Sequence, residues 1–190
     1  MTWAFCVLHP TVVSSQGPNT LIDPDSYAVY NALIPSDWLV RVAQASELLI
    51  QNTTQSDSPF LSGCVPSGPG LTGPWLEAMN VLRAQQTTAK SLDRQFSLPV
   101  PYRLESRETI QSFFHSRDPS WERFHATYPA AKGYLVVSAV GFDKAHEHAV
   151  VYMAHSCGGL CGEGGYHFLE RAPEGWTEVR LNVRNCNWVS

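Results

Sequence analysis

The sequence predicts an α+β domain, with N-terminal helices packed on one face of a C-terminal antiparallel β-meander of four to five strands. Three observations carry that expectation. Apolar residues recur every three to four positions around Trp75 to Arg83, Ile110 to Phe114 and Trp121 to Tyr128. After Gly133 the recurrence drops to two, and the runs that follow are joined by connections short enough to demand antiparallel neighbours. A chain of 190 residues can bury one core without staples, and is read as a single domain over 1–190.

In chain order, the apolar opening Met1 to Leu8 lacks the basic flank of a secretory signal. It is either a buried first strand or the remnant of a clipped signal core. Residues 9–24, with Pro10, Gly17, Pro18 and Pro24, form an extended lead-in. Asp25 or Ser26 caps a helix through Tyr27, Val29, Tyr30 and Leu33, which Ile34-Pro35 stops. The stretch from Trp38 to Leu49 has helical spacing, while Leu48 to Thr54 reads better as a strand ending in turn residues. Residues 56–74 are a Gly/Pro/Ser-rich surface loop containing Cys64, a free thiol or the partner of a distant cysteine.

A helix with an apolar stripe of Trp75, Leu76, Met79 and Leu82 follows. Phe96 to Leu104 must be extended, because Pro99 and Pro101 at alternate positions forbid a helix and permit only an edge strand. Ser106 opens a helix facing inward with Ile110, Phe113 and Phe114, and Pro119-Ser120 opens another with Trp121, Phe124, His125 and Tyr128. His125 on that aromatic stripe reads as a hydrogen-bonded core histidine. The strands are Tyr134 to Phe142, Ala149 to His155, Tyr166 to Glu170 and Thr177 to Val183, with Asn187 to Val189 as a short fifth piece.

Composition removes several function classes. The net charge is −4, and the 13 lysines and arginines are scattered singly. No basic stripe exists to neutralise phosphates, so neither nucleic acid nor an anionic membrane is expected as a partner. No apolar run approaches the roughly 18 residues of a membrane span. Charged residues are 16% and aromatic residues 11% of the chain, a sparsely charged surface suited to contact with an unknown protein or small ligand.

Between the second and third strands lies His155-Ser156-Cys157-Gly158-Gly159-Leu160-Cys161-Gly162-Glu163-Gly164-Gly165-Tyr166. Three readings of it stand side by side. In the first, Cys157 and Cys161 form a disulfide across the Gly-Gly bend, which contributes about 2 kcal/mol and stiffens the loop. Glycines 158, 159, 162, 164 and 165 then supply positive-φ positions. Gly158, Gly159, Leu160, Gly162, Glu163 and Tyr166 form a binding loop of a non-catalytic domain that needs no cofactor.

In the second, the spacing H-x-C-x3-C-x5-H lets His155, Cys157, Cys161 and His167 hold zinc or copper, with His146 and His148 as further candidates. In the third, Cys157 is a nucleophile and His155 its base. Glu163 works against a thiolate there. No phosphate loop, Gly-x-Ser-x-Gly elbow or His-Glu-x-x-His is present.

The run from Trp121, through Phe124, Tyr128-Pro129, Gly133, Val140-Gly141-Phe142, Val151-Tyr152, Cys157-Gly158, Leu160-Cys161-Gly162, Gly164, Tyr166, Gly175-Trp176 and Trp188-Val189-Ser190, resembles a family of uncharacterised bacterial proteins. These share a C-terminal Cys-Gly-x-Leu-Cys-Gly-x-Gly hairpin and a terminal tryptophan motif. The resemblance implies helices followed by a C-terminal sheet in a bacterial, exported protein, and carries no catalytic roles. Location is therefore expected to be extracytoplasmic, periplasmic or secreted, with the cytoplasm as the alternative.

Overall fold

A computed structural model describes residues 22–56, 64–114, 120–184 and 186–190. Cys6, the expected first strand and most of the lead-in lie outside the described residues. The described elements are α1 (Asp25–Leu33), a 3-10 turn (Ile34–Ser36), α2 (Trp38–Arg41), β1 (Leu48–Gln51), α3 (Gly73–Gln85), β2 (Tyr102–Glu105), α4 (Arg107–Ser112), α5 (Trp121–Thr127), β3 (Tyr134–Val137), β4 (Gly141–Phe142), β5 (His148–Gly158), β6 (Cys161–Ala172), β7 (Gly175–Val179) and β8 (Trp188–Val189). Helices and a sheet coexist as the α+β expectation requires.

The sheet itself corrects that expectation. It is a mixed sheet of eight strands in the order β2-β1-β3-β5-β6-β7, with β4 added to β5 and β8 to β6. The second half, β3-β5-β6-β7, is the antiparallel meander. The first half is parallel: β1 lies between β2 and β3 and runs parallel to both. Connection length constrains only strands that follow one another closely. It was silent about Leu48–Gln51, which reaches its neighbours through crossovers of dozens of residues that carry helices.

Helices cover both faces, which is the second correction. On one face Leu48, Ile50, Leu135, Val137, Val151 and Met153 pack against Tyr27, Tyr30 and Leu33 of α1, with Leu39 of α2. On the other, Val150, Tyr152, Tyr166 and Phe168 pack against Ala78, Met79 and Leu82 of α3. Leu49 on that side meets Ile110 of α4 and Phe124 of α5. A strand buried on both faces reads as a continuous apolar run instead of an alternating one. His148–Gly158 does so, with every residue from Ala149 to His155 buried. Tyr30, fully buried, donates to the Ser138 carbonyl at 2.7 Å and pins α1 to the sheet.

The capping chemistry is mostly where the sequence puts it. Ser106 Oγ accepts from Thr109 N–H and Ser120 Oγ from Arg123 N–H. At α1 the N-cap is Pro24, and it is Asp23 whose carboxylate accepts from Asp25 N–H at 2.9 Å. The helix α3 starts at Gly73, so the last two residues of the expected 56–74 loop belong to its first turn. Cys64 is bonded to Cys186 across 122 residues, which ties the segment before α3 to the tail carrying β8.

Candidate functional site

The β5–β6 ladder runs from His148 opposite Glu170 to Gly158 opposite Cys161. The expected glycine loop is therefore strand almost throughout, and its turn is only Gly159-Leu160. Of the binding-loop residues, Gly158, Gly162 and Glu163 lie in the two strands, Gly159 and Leu160 form the tip, and Tyr166 is buried in the sheet. None of the five glycines given positive φ has it; the left-handed glycines among the described residues are Gly68, Gly73 and Gly175. Glycine serves close packing here. A Cβ on Gly164 would sit 2.6 Å from Trp188 Nε1 and from Ala154 Cβ.

Cys157 and Cys161 form a disulfide with their α-carbons 5.1 Å apart, across the last rung of this ladder. In that state neither sulfur is a nucleophile or a soft metal ligand. The bond lies in a groove of about 370 Å³ whose lining also includes Trp38 and Ala43 from α2 and its end, and His125, Pro129, Ala131 and Lys132 from α5 and the turn after it. Leu160, 92% exposed, projects at the tip of the hairpin, and Val42 is exposed next to Ala43. Gly133 permits this closeness, because a Cβ there would overlap the Ser156 carbonyl and Cys157. His125 is half-exposed and leans on the Trp121 ring at 5.8 Å instead of lying in the core.

His155 finds a partner that no local pattern announces. Asp37 caps α2, with Oδ1 accepting from Leu39 N–H at 2.8 Å. Its Oδ2 lies 2.9 Å from His155 Nδ1, with both side chains only 3% exposed. A carboxylate can only accept, so the imidazole donates from Nδ1 and a neutral ring keeps a lone pair on Nε2. Trp38 stacks on the ring with planes 18° apart. Glu163 stands opposite His155 in the ladder, and one oxygen or nitrogen from each of Asp37, His155 and Glu163 lies within 4.8 Å of the others.

Beside this cluster is a smaller cleft of about 190 Å³, lined by Ser36, Asp37, Met153, Ala154, residues 163–165, His167 and residues 187–189. The metal ligands expected from the sequence are not brought together as a set. Cys157 and Cys161 are bonded to each other, and His167 Nδ1 is held at 2.7 Å by Glu178 on β7. That hydrogen bond keeps the Glu178 carboxyl below the ordinary glutamate range, against the opposing effect of its burial. At the β4–β5 turn His146 pairs with Asp25 and His148 with Asp143, both at 3.2 Å.

Sequence reasoning missed Asp37 and undervalued Glu163. Pro35-Ser36-Asp37-Trp38 carries the pattern of an N-cap after a proline break, but pairing across 118 residues leaves no local trace. Comparison of the chain with known protein families, with curated proteins and with solved structures finds no match.

Proposed function

We propose that this chain is a non-catalytic binding domain that takes an apolar side chain of a protein partner or small ligand into the groove at the closed end of the β5–β6 hairpin. The observation that carries the reading is the groove itself, with the Cys157–Cys161 disulfide among its lining, Trp38 and Ala131 beside it, and Leu160 projecting nearby. Its volume of about 370 Å³ falls in the range of about 300–1,000 Å³ usual for ligand sites. Closing the hairpin covalently and burying the adjoining strand on both faces removes ordering cost from the binding step. An exposed leucine on so constrained a turn suits a contact residue.

Two disulfides also favour an oxidising compartment. This supports an extracytoplasmic setting. The cysteine-nucleophile reading would require reduction of the bond between Cys157 and Cys161.

The test is ligand-observed NMR with N-acetyl-leucinamide and N-acetyl-phenylalaninamide as probes of the groove. Saturable transfer to at least one probe, lost in Ala43→Trp, is the expected result. No transfer, or equal transfer in the variant, would overturn the reading.

A further inference from the structure

We propose that Asp37, His155 and Glu163 form a divalent transition-metal site, zinc being the ion their donors suit best. It is distinct from the cysteine-containing site the sequence suggested, and independent of the apolar groove. Three elements supply it: the N-cap of α2, β5 and β6.

The geometry is close to what an ion needs. Oxygen and nitrogen donors around tetrahedral zinc sit about 2.0–2.2 Å from the metal, hence about 3.4 Å from one another. The three donors here already lie within 4.8 Å of each other, so capture requires a contraction of at most about 1.4 Å at the widest pair. Glu163 is the exposed member of the cluster and the one free to make that movement, while Asp37 and His155 are buried.

Charge points the same way. Two carboxylates flank one imidazole, and among the described residues lining the neighbouring cleft there is no lysine or arginine. An Asp37–His155 hydrogen bond would be complete by itself as a structural pair. Adding Glu163 opposite the same ring leaves an anionic cluster that a divalent cation would neutralise. Asp37 Oδ2 lies 2.9 Å from His155 Nδ1, so an ion shared by the two takes the place of the Nδ1 proton, and the ring keeps its one proton on Nε2. Imidazole plus two carboxylates is a donor set for zinc, whereas magnesium demands an octahedron of oxygens.

The cleft is also the right size. About 190 Å³ holds an ion and a few waters, each water needing about 30 Å³, and is below the range of organic-ligand pockets. Asp37 and Glu163 both line it; His167 is on the same wall but outside the three-residue donor cluster, so water completes the coordination. The Cys157–Cys161 bond lies at the closed end of the same ladder and supplies no donor, since the long pairing from His148 to Ser156 already sets Glu163 opposite His155.

The experiment is titration of the oxidised full chain with zinc chloride by calorimetry after chelator treatment, in millimolar magnesium. One zinc per chain is expected, with affinity at least tenfold lower in Glu163→Gln and within threefold of wild type in Cys157→Ala/Cys161→Ala. The exposed position of Glu163 keeps its variant folded, which circular dichroism verifies. Absence of zinc binding, or equal binding by Glu163→Gln, would overturn the proposal. So would loss of the ion in the cysteine variant or on His146→Gln/His148→Gln.

Discussion

Removing each disulfide in turn should separate what holds the fold from what shapes the site. Cys157–Cys161 spans 4 residues and Cys64–Cys186 spans 122. Loop-closure entropy scales with the logarithm of the loop, which gives about 2 kcal/mol for the short bridge and about 5 kcal/mol for the long one. With a urea dependence of about 2 kcal/mol/M, the midpoint should fall by about 1 M in Cys157→Ala/Cys161→Ala and by about 2.5 M in Cys64→Ala/Cys186→Ala. Packing adds to the second figure, since Cys186 is buried among residues contacting α3, close to where Trp188 Nε1 donates to Tyr152 Oη at 2.7 Å. The assay is equilibrium urea unfolding followed by tryptophan fluorescence and far-ultraviolet dichroism together. A long-bridge variant no less stable than the short-bridge variant would refute the division of labour argued here.

Asp37→Ala removes a helix cap and orphans a buried imidazole, and should cost about 3–5 kcal/mol in urea unfolding, where Asp37→Asn keeps the cap and loses less. Gly141→Ala should lower stability by more than about 2 kcal/mol, because the new Cβ would overlap the Ala78 carbonyl and the Leu82 amide of α3; an unchanged thermal midpoint would contradict that packing. The Asp143 carboxylate accepts from Glu147 and His148 N–H, both at 2.9 Å. Burial would raise its pKa, but these bonds and the His148 ring outweigh burial and hold it below the ordinary 3.8. The sign follows from linkage: a depressed carboxyl stabilises fully above its unfolded value and loses that stability as pH falls through its folded value. The stability gap between wild type and Asp143→Asn should therefore be constant near pH 6 and shrink progressively below about pH 4. A gap that widens on acidification would reverse the assignment.

The C-terminal antiparallel half was legible because period-two runs and the turns at Asp143 to His146 and Pro173-Glu174 are local signals. Helices α4 and α5 were legible through Ser106 and Ser120, whose caps act within three residues. The disulfide partner of Cys161 was readable for the same reason. What could not be read acts over long separations: the parallel insertion of Leu48–Gln51, the Cys64–Cys186 bridge and the Asp37–His155 pair. The glycine stretch misled in another way. Read locally, each glycine is a turn former, while at Gly164 and Gly165 the absence of a Cβ lets Asn187 and Trp188 approach the sheet. Extended pairing thus continues up to Gly158 and resumes at Cys161.

The claim that the closed hairpin end is the binding surface is tested most directly by amide chemical-shift mapping. Isotope-labelled oxidised protein would be titrated with N-acetyl-leucinamide beside the Cys157→Ala/Cys161→Ala variant. The account predicts shifts confined to Trp38, Ala43, Ala131, Lys132 and residues 157–161, with affinity reduced severalfold when the bridge is absent. Shifts centred elsewhere on the domain, or identical titrations of the two proteins, would contradict it.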